Sequence, residues 1–353
     1  MKVLFDHHLF YQLYGGASKY FVKMISHLPQ DSWKTTALWS INEYARATGL
    51  IHTVKKRFKG EGSLLERINR IYTTYKIAKG QFNVLHQTDF DNYFYKYLDA
   101  KPLVVTYHDS NLSTIDPHPE IVKRQEKALR RADAIIAVSQ NTKKDLLNLF
   151  DVDEKKVHVI YHGIDIPNLQ EFPKERIIKD EYFLYVGRRS TYKNFKRLVS
   201  AFARFHKNYK NVKLVCTSQE FTEEEHHFFS SLSIDDALIA VKASEQEMIQ
   251  LYRDAVALVF PSLYEGFGMP ILEAWSCRCP VILANASCFP EIADNAAIYF
   301  DPYSENDMFQ RLLEVYESKQ LRLNLVSLGG KRVLDYSWEK CANEHMRVYN
   351  LFT

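Results

Sequence analysis

Short apolar runs alternate with longer segments of helical periodicity along the chain, and this alternation constrains the fold more than any other feature. The pattern is typical of βαβ units built around a parallel sheet. Two series are present. The predicted strands are residues 2–5, 36–39, 84–86, 103–106, 134–138, 157–161, 182–186, 213–216, 238–241, 257–260, 281–283 and 298–300. The sequence therefore predicts an α/β protein with two Rossmann-like, doubly wound domains.

A polar stretch separates the two series. Residues 167–181 contain two prolines and several charged side chains, which is typical of an interdomain linker. We predict an N-terminal domain over residues 1–166, a C-terminal domain over residues 182–336, and a final helix over residues 337–353 that can pack back on the N-terminal domain. Because doubly wound sheets bind ligands at the carboxyl ends of their strands, we expect a ligand cleft between the domains.

Cysteine usage and hydropathy bear on the compartment. The five cysteines are scattered at positions 216, 277, 279, 288 and 341, which favours reduced thiols over a disulfide framework. Cys277 and Cys279 lack a second pair at zinc-site spacing, so we predict no metal there. No apolar run approaches the roughly 18 residues that span a bilayer. We expect a cytoplasmic protein.

The most informative segment runs from a predicted strand through a glycine-containing loop into a helix. Pro270 suits the first turn of that helix, whose open backbone N–H groups can bind an anion or a sugar hydroxyl. Gly266 and Gly268 allow a ligand to approach the backbone closely. Glu265 and Glu273 can accept hydrogen bonds from hydroxyl pairs of a hexose or a ribose. The alternative is that Glu265 is solvated and Glu273 complements the helix dipole.

Two cations follow the first strand of the second series. Arg188 offers a planar fork that matches phosphate oxygens, and Lys193 offers a point charge. Together they can neutralise a diphosphate without a divalent metal ion. The alternative is that both are solvated loop cations. Arg189 is left unassigned.

Three further positions follow predicted strands of the first series. Gly15 and Gly16 precede a helix, so their backbone amides can meet a phosphate. His108 lies at the carboxyl end of its strand, so we expect it to point toward the ligand. His7 and His8 are assigned to structure, because a lone histidine is more often a satisfied structural residue.

These motifs together resemble the retaining glycosyltransferases of the GT-B fold, family 4. Residues 265–273, EGFGMPILE, are similar to the E-x7-E signature of that family. Further matches lie at residues 15–16, 108–109, 161–165, 186–194, 285–291 and 337–340. The resemblance implies catalytic roles for His108, Glu265, Arg188 and Lys193. It implies donor binding by Gly15, Gly16, Arg188, Lys193, Glu265, Gly266, Phe267, Gly268, Met269, Pro270 and Glu273.

The resemblance also implies a mechanism and a substrate class. The enzyme would transfer a hexose from a nucleotide diphosphate sugar by front-face displacement, with no cofactor, to a glycan or lipid-linked acceptor. Glu265 would contact the sugar, Glu273 the ribose and His108 a sugar hydroxyl. Double displacement with Glu265 as the nucleophile is the alternative. GDP-mannose is the first choice of donor, by likeness to bacterial surface-polysaccharide enzymes.

Other readings remain open at this point. UDP-glucose and UDP-N-acetylglucosamine are alternative donors, and a GT-B epimerase or a non-catalytic nucleotide-sugar-binding protein are alternative functions. Some positions depart from the family pattern. After Gly15 and Gly16 the family pattern continues with isoleucine, serine and arginine, whereas this chain has Ala17, Ser18 and Lys19. Arg278 stands where glycine is common, and His162 stands where asparagine is common.

Asp89 and Asp91 have the DxD spacing with which another glycosyltransferase fold binds a divalent metal. The remaining motifs all belong to the two-domain fold, so we interpret this pair as a chance match. We expect no nucleic-acid partner either, because the basic residues of the chain lack any recognised nucleic-acid-binding module.

Residues 54–81 carry eight basic and two acidic side chains. Ser63 and Glu66 fit a capping box that begins a helix. Its apolar residues at helical spacing are Leu64, Ile68, Ile71, Tyr72 and Tyr75, and the basic residues are Lys55, Lys56, Arg57, Lys59, Arg67, Arg70, Lys76 and Lys79. We expect an amphipathic helix that docks peripherally on an anionic membrane surface. The alternative is that the apolar face packs on the domain core and the charges are solvated.

Overall fold

A computed structural model describes residues 1–53, 61–110 and 118–353. The chain divides into two compact units. The N-terminal unit combines Met1–Gly163 with Ser337–Thr353, and the C-terminal unit is Ile164–Tyr336. Each unit contains its own six-stranded sheet of parallel strands, so the predicted α/β fold class is confirmed.

The N-terminal sheet has the strand order β2-β1-β3-β4-β5-β6. Its strands are β1 (Val3–Phe5), β2 (Trp33–Thr35), β3 (Val84–Gln87), β4 (Leu103–Tyr107), β5 (Ala134–Ala137) and β6 (Val157–Val159). Its helices in the described ranges are α1 (Gly16–Ser26), α2 (Glu43–Thr48), α3 (Glu61–Ala78), α4 (Pro119–Arg131) and α5 (Gln140–Leu149). The central strands are wholly buried and rich in aliphatic residues, as expected of a parallel sheet covered on both faces.

The C-terminal sheet has the order β12-β11-β10-β7-β8-β9. Its strands are β7 (Glu181–Val186), β8 (Val212–Thr217), β9 (Leu238–Val241), β10 (Ala257–Phe260), β11 (Val281–Ala284) and β12 (Ile298–Phe300). Its helices are α6 (Phe195–His206), α7 (Glu223–Ser231), α8 (Glu245–Asp254), α9 (Met269–Ser276), α10 (Phe289–Ala293), α11 (Glu305–Glu317) and α12 (Lys319–Arg332).

The second predicted strand was wrong, because β2 lies at Trp33–Thr35 rather than residues 36–39. The backbone N–H of Thr36 still donates to the sheet, at 2.9 Å from the carbonyl oxygen of Phe5. The N–H of Leu38 instead donates to Oδ1 of Asn69, at 2.9 Å. A side chain of α3 therefore replaces the neighbouring strand, and the chain leaves the sheet.

The chain crosses between the units at Gly163 and returns after Tyr336 to form helix α13 (Trp338–Tyr349) in the N-terminal unit. A Cβ atom on Gly163 would lie 2.1 Å from the backbone nitrogen of Trp338, so only glycine fits this close approach. The stretch predicted as a linker packs on the C-terminal unit. Arg253 donates to the carbonyl oxygen of Pro173 at 2.8 Å, and Arg176 donates to that of Asp254 at 2.7 Å.

Candidate functional site

The loop between β10 and α9 forms one side of the candidate site in the C-terminal unit. Gly268 caps the N-terminus of α9 with φ of 90° and ψ of 51°, a left-handed conformation that glycine adopts at little cost. A Cβ atom there would also approach the ring of Phe289 to 3.1 Å. Pro270 lies in the first turn of α9, as predicted, where its missing N–H costs no helical hydrogen bond.

Glu265 lies in this loop, and its carboxylate forms an ion pair with Nζ of Lys193. Both side chains are mostly buried, with 16% and 15% of their surface exposed. Ser287 fixes the backbone beside the pair. The Glu265 N–H donates to the Ser287 hydroxyl at 3.2 Å, and that hydroxyl donates to the Glu265 carbonyl oxygen at 2.7 Å. The structure therefore brings together two residues that were predicted to act on one donor.

The loop after β7 carries the two predicted phosphate-binding cations. Asn194 holds its end in a left-handed conformation with φ of 57° and donates from Nδ2 to the carbonyl oxygen of Pro302 at 2.8 Å. The Tyr185 hydroxyl donates to the Arg188 carbonyl oxygen at 2.7 Å. The Arg188 guanidinium is exposed and has no ion pair or side-chain hydrogen bond among the described residues. Arg188 is therefore open to an anionic ligand, while Lys193 already contacts Glu265.

The neighbouring Arg189 has a structural role. Its guanidinium forms hydrogen bonds of 2.6 Å and 3.1 Å with the Glu225 carboxylate and lies 4.9 Å from the ring centroid of Phe221. A planar, bidentate pair of this kind fixes the side chain on α7. Arg189 thus anchors the loop that displays Arg188.

Glu273 lies one turn further along α9. The buried hydroxyl of Tyr252 donates to its carboxylate at 3.0 Å. Burial and the adjacent Glu273 raise the pKa of Tyr252 well above its usual value, so Tyr252 stays a donor at physiological pH. The helix and this hydrogen bond orient Glu273.

Two serines in the same loops escaped the sequence analysis. The hydroxyls of Ser190 and Ser262 are buried and find no hydrogen-bond partner among the described residues. Ser190 lies between Arg188 and Lys193 in the sequence, and Ser262 follows β10. Buried hydroxyls are usually satisfied, so these two are candidates for ligand contacts. Their type and spacing in the sequence match no motif, so the sequence offered no signal for them.

In the N-terminal unit, His108 follows β4 directly, as predicted. Its Nε2 atom is buried and has no hydrogen-bond partner among the described residues. Burial, and to a lesser extent His345, lower the pKa of His108 to about 4, so the ring is neutral at physiological pH. A neutral imidazole with an unsatisfied nitrogen is suited to bind a hydroxyl group.

Behind His108 lies a group that we call the histidine cluster. Its members are His86, His108, His162 and His345. Nε2 of His345 lies 2.7 Å from the Tyr20 hydroxyl, and Nδ1 of His86 lies 2.6 Å from the Tyr349 hydroxyl. Burial lowers the pKa of every member below its usual value. The cluster is therefore a neutral core, and the hydrogen bonds of His86 and His345 join α13 to the rest of the unit.

The Gly15 and Gly16 pair begins α1, one residue earlier than predicted. Gly15 occupies the N-cap position, and the Ser18 hydroxyl donates to its carbonyl oxygen at 3.0 Å. A Cβ atom on Gly16 would meet nothing within 4 Å, so space remains beside the backbone at this helix N-terminus. Ser18, where the family pattern also has serine, thus supports the turn.

Asp91 of the DxD pair belongs to an ion-pair network around His8. Nδ1 of His8 lies 3.0 Å from Asp6 and its Nε2 lies 3.3 Å from Asp91, which also pairs with Arg70 at 2.7 Å. Burial alone would lower the pKa of His8, but the hydrogen bonds to both carboxylates raise it to about 10. Asp89 is exposed. In the described ranges, no three His, Cys, Asp or Glu side chains are arranged to hold a metal ion.

Two departures from the family pattern have structural explanations. Arg278 has φ of 60° in the turn after α9, a conformation that favours the glycine that is common there. Its side chain is exposed and is not packed in the core. His162 is buried, with its ring centroid 4.6 Å from that of Tyr20. All five cysteines are buried free thiols.

Helix α3 faces the core with a largely polar stripe, namely Asn69, Thr73 and Ile77. Oγ1 of Thr73 lies 2.6 Å from that of Thr36, and Nδ2 of Asn69 donates to the Trp39 carbonyl oxygen at 2.9 Å. Of the predicted apolar residues, Ile68 and Tyr72 are half-buried, so the predicted apolar face is only partly turned away from the core.

The opposite face of α3 exposes Leu64, Ile71 and Tyr75 by 54%, 72% and 49%. Two details of the prediction were wrong. The helix begins at Glu61, so Ser63 lies in its first turn rather than at its N-cap. Arg70 pairs with Asp91 and is not free for a membrane. Four of the predicted basic residues, at positions 55, 56, 57 and 59, lie outside the described ranges. No helix in those ranges is both long and apolar enough to cross a membrane.

Solved structures with this fold include two chains of similar length. HepE from Anabaena, solved in complex with UDP and glucose, matches with a TM-score of 0.79 and 17% identity over 98% of each chain. A glycosyltransferase from Rickettsia africae matches with a TM-score of 0.73 and 14% identity over 99% of this chain and 98% of that one. The fold is the two-domain GT-B fold of glycosyltransferases.

Family models narrow this class. Residues 14–167 match the model described as Glycosyltransferase Family 4, and residues 168–332 match Glycosyl transferases group 1. The chain therefore belongs to the glycosyltransferases that join these two domains. A relative from Salmonella typhimurium, O-antigen chain mannosyltransferase RfbU, is 30% identical over 50% of this chain, and the match spans 49% of its own length. O-antigen chain mannosyltransferase B from Escherichia coli is 24% identical over 70% of each chain.

Proposed function

We propose that this glycosyltransferase moves a mannosyl group from GDP-mannose to a glycan or lipid-linked acceptor in surface polysaccharide synthesis, with retention and without a metal ion. The observation that carries the proposal is the Lys193 and Glu265 ion pair, with the exposed guanidinium of Arg188 on the same loop as Lys193. A diphosphate and the adjacent hexose need such neighbouring positive and negative groups.

The charges suit a metal-independent transfer. Arg188 and Lys193 supply countercharge for the leaving diphosphate, which takes the acceptor proton in a front-face displacement. Because Lys193 pairs with Glu265 and orients it, the carboxylate can stabilise positive charge on the sugar as the bond to phosphate breaks. We assign to Glu273, which accepts from Tyr252, the further role of accepting hydrogen bonds from the ribose. Gly15, Gly16 and His108 keep their predicted donor-binding roles.

The choice of mannose rests on the relatives named as O-antigen mannosyltransferases. Donor turnover tests it directly. We expect release of GDP from GDP-mannose to exceed release of UDP from UDP-glucose or UDP-N-acetylglucosamine, and Glu265→Gln to abolish it. Equal turnover of the UDP sugars would remove the GDP-mannose assignment, and binding without any turnover would favour a non-catalytic sugar-nucleotide-binding protein.

Metal dependence and stereochemistry need separate measurements. We expect EDTA to leave the rate almost unchanged, and NMR of the first-formed product to show the anomeric configuration of the donor. Loss of activity on chelation that manganese restores would contradict the role of Arg188 and Lys193. A product of inverted configuration would contradict front-face displacement.

We also propose that the outward face of α3 docks on an anionic membrane, where a lipid-linked acceptor would lie. Its exposed apolar side chains lie near the basic side chains of Arg67 and Lys79. This combination of apolar and basic groups is what an interfacial helix needs.

Vesicle flotation tests the docking. We expect binding that requires anionic lipid, weakens with salt and falls when Ile71 is replaced by glutamine. Leu334→Gln is the matched control, because Leu334 is equally exposed, at 69%, on the C-terminal unit. Equal losses in both variants, or no flotation of the unchanged protein at low salt, would contradict the proposal.

A further inference from the structure

A cavity of about 250 Å³ opens at the amino edge of the N-terminal sheet. Lys2 and Trp33 lie where β1 and β2 begin, and Tyr72 and Lys76 reach it from α3. The predicted donor-binding residues Gly15 and Gly16 and the predicted hydroxyl-binding His108 instead follow the carboxyl ends of strands. The cavity is thus at the opposite edge of the sheet from every N-terminal residue that is assigned to the donor.

Three lysines line this cavity, Lys2, Lys34 and Lys76. Among the described residues, none of the three ammonium groups has a carboxylate within ion-pair distance, and the lining residues include no acidic side chain. Three unpaired cations around one concave space repel each other, so an anion that enters it is stabilised by all three. Arg70, on the same helix as Lys76, is by contrast paired with Asp91.

The rest of the lining is aromatic and neutral. Trp33, Tyr72 and Phe82 form apolar walls, and the ammonium group of Lys76 lies 5.2 Å from the ring centroid of Tyr72. Apolar walls reduce the local dielectric constant, which strengthens the attraction between ammonium groups and a bound phosphate. Apolar walls also suit the glycerol and acyl portions of a phospholipid better than a fully hydrated ion.

We propose that this cavity binds the phosphate of an anionic phospholipid headgroup. Helix α3 links the two features, because Tyr72 and Lys76 line the cavity while Ile71 and Tyr75, their direct neighbours in sequence, are exposed on its outward face. The choice of lipid as the source of the phosphate rests on the proposed membrane docking. The cavity makes docking selective for a headgroup, which a diffuse basic surface would not.

Calorimetry with short-chain phosphatidic acid below its micellar concentration measures the cavity without a membrane. We expect saturable binding that weakens by about tenfold or more in the Lys34→Gln/Lys76→Gln variant, because two charge-assisted contacts are lost. The control is Arg67→Gln/Lys79→Gln, which removes the same charge from the same region but touches no cavity residue. Lys34 is exposed and Lys76 half-buried, so both variants should melt at the temperature of the unchanged protein.

Equal weakening in the control variant would overturn the inference, because charge alone would then explain binding. Binding of inorganic phosphate or glycerol 3-phosphate as tightly as phosphatidic acid would overturn the lipid assignment. Vesicle flotation separates this inference from membrane docking. Flotation that survives Lys34→Gln/Lys76→Gln leaves docking intact and removes the cavity, whereas calorimetric binding without flotation leaves the cavity intact and removes docking. Donor turnover with a soluble acceptor should be unchanged in both variants.

Discussion

Replacing Lys193 by alanine should impair both catalysis and folding, whereas replacing Arg188 should impair catalysis alone. Each cation is expected to contribute about 2–4 kcal/mol at the developing diphosphate charge, which is about 30- to 900-fold in kcat/KM. The difference lies in the free protein. Lys193 pairs with a mostly buried carboxylate, while Arg188 is exposed and unpaired among the described residues.

The cost to folding follows from the partner left behind. Without Lys193, the Glu265 carboxylate would lose its ion-pair partner while only 16% of its side-chain surface is exposed. We expect the free energy of unfolding to fall by about 1–3 kcal/mol, the scale of an unsatisfied buried polar group. Arg188→Ala should change it by less than about 0.5 kcal/mol, as at other surface sites.

Urea unfolding and initial rates of GDP release from GDP-mannose measure the two effects separately. The double variant Lys193→Ala/Glu265→Gln should recover most of the stability lost in Lys193→Ala, because the stranded charge is gone, but none of the activity. If the Lys193 and Arg188 variants lost the same stability and the double variant recovered none, the ion pair would not exist in solution and the argument for Glu265 orientation would fail.

Three other outcomes are expected. Gly329→Ala should destabilise the protein in urea unfolding, since its Cβ would lie 2.3 Å from Trp275, whereas Gly330→Ala, with nothing within 4 Å, should stabilise it by about 0.5–1 kcal/mol. Tyr252→Phe should weaken calorimetric GDP binding by about 0.5–1.5 kcal/mol and Glu273→Ala by more; unchanged affinity in both would place the ribose elsewhere. The histidine cluster binds protons less readily in the folded protein than in the unfolded chain, because burial lowers its pKa values. The free energy of unfolding should therefore fall as pH drops from about 6.5 toward 4, by up to about 1.4 kcal/mol per pH unit for each histidine. A melting temperature that stays constant over that range would refute this pH dependence.

The parts of the fold that the sequence predicted correctly are those governed by local patterns. The buried strands and the Gly268 and Pro270 start of α9 each depend on residues a few positions apart. The same holds for Glu265 and Glu273, which share one loop and helix. Periodicity and capping rules therefore suffice for them.

Features that depend on distant partners could not be predicted in this way. The sequence around Arg189 does not indicate that its partner is Glu225, which lies on the helix after the next strand. The His8 network depends on Asp91, 83 positions away in the chain, so its raised pKa is a tertiary property. The end of β2 likewise depends on Asn69 of α3. Each case is a polar group whose partner is set by the fold.

Helix α3 shows why periodicity alone cannot decide which face of a helix is buried. Its apolar residues recur at helical spacing, and the usual inference would turn them toward the core. At this place, however, the core presents polar groups that need hydrogen-bond partners, namely the Leu38 N–H, the Trp39 carbonyl and the Thr36 hydroxyl. Burying these groups against aliphatic side chains would cost more free energy than exposing Ile71. Asn69 and Thr73 satisfy them, so the polar stripe faces inward. Leu64, Ile71 and Tyr75 are left exposed on the outward face, which is the arrangement that a membrane-docking surface requires.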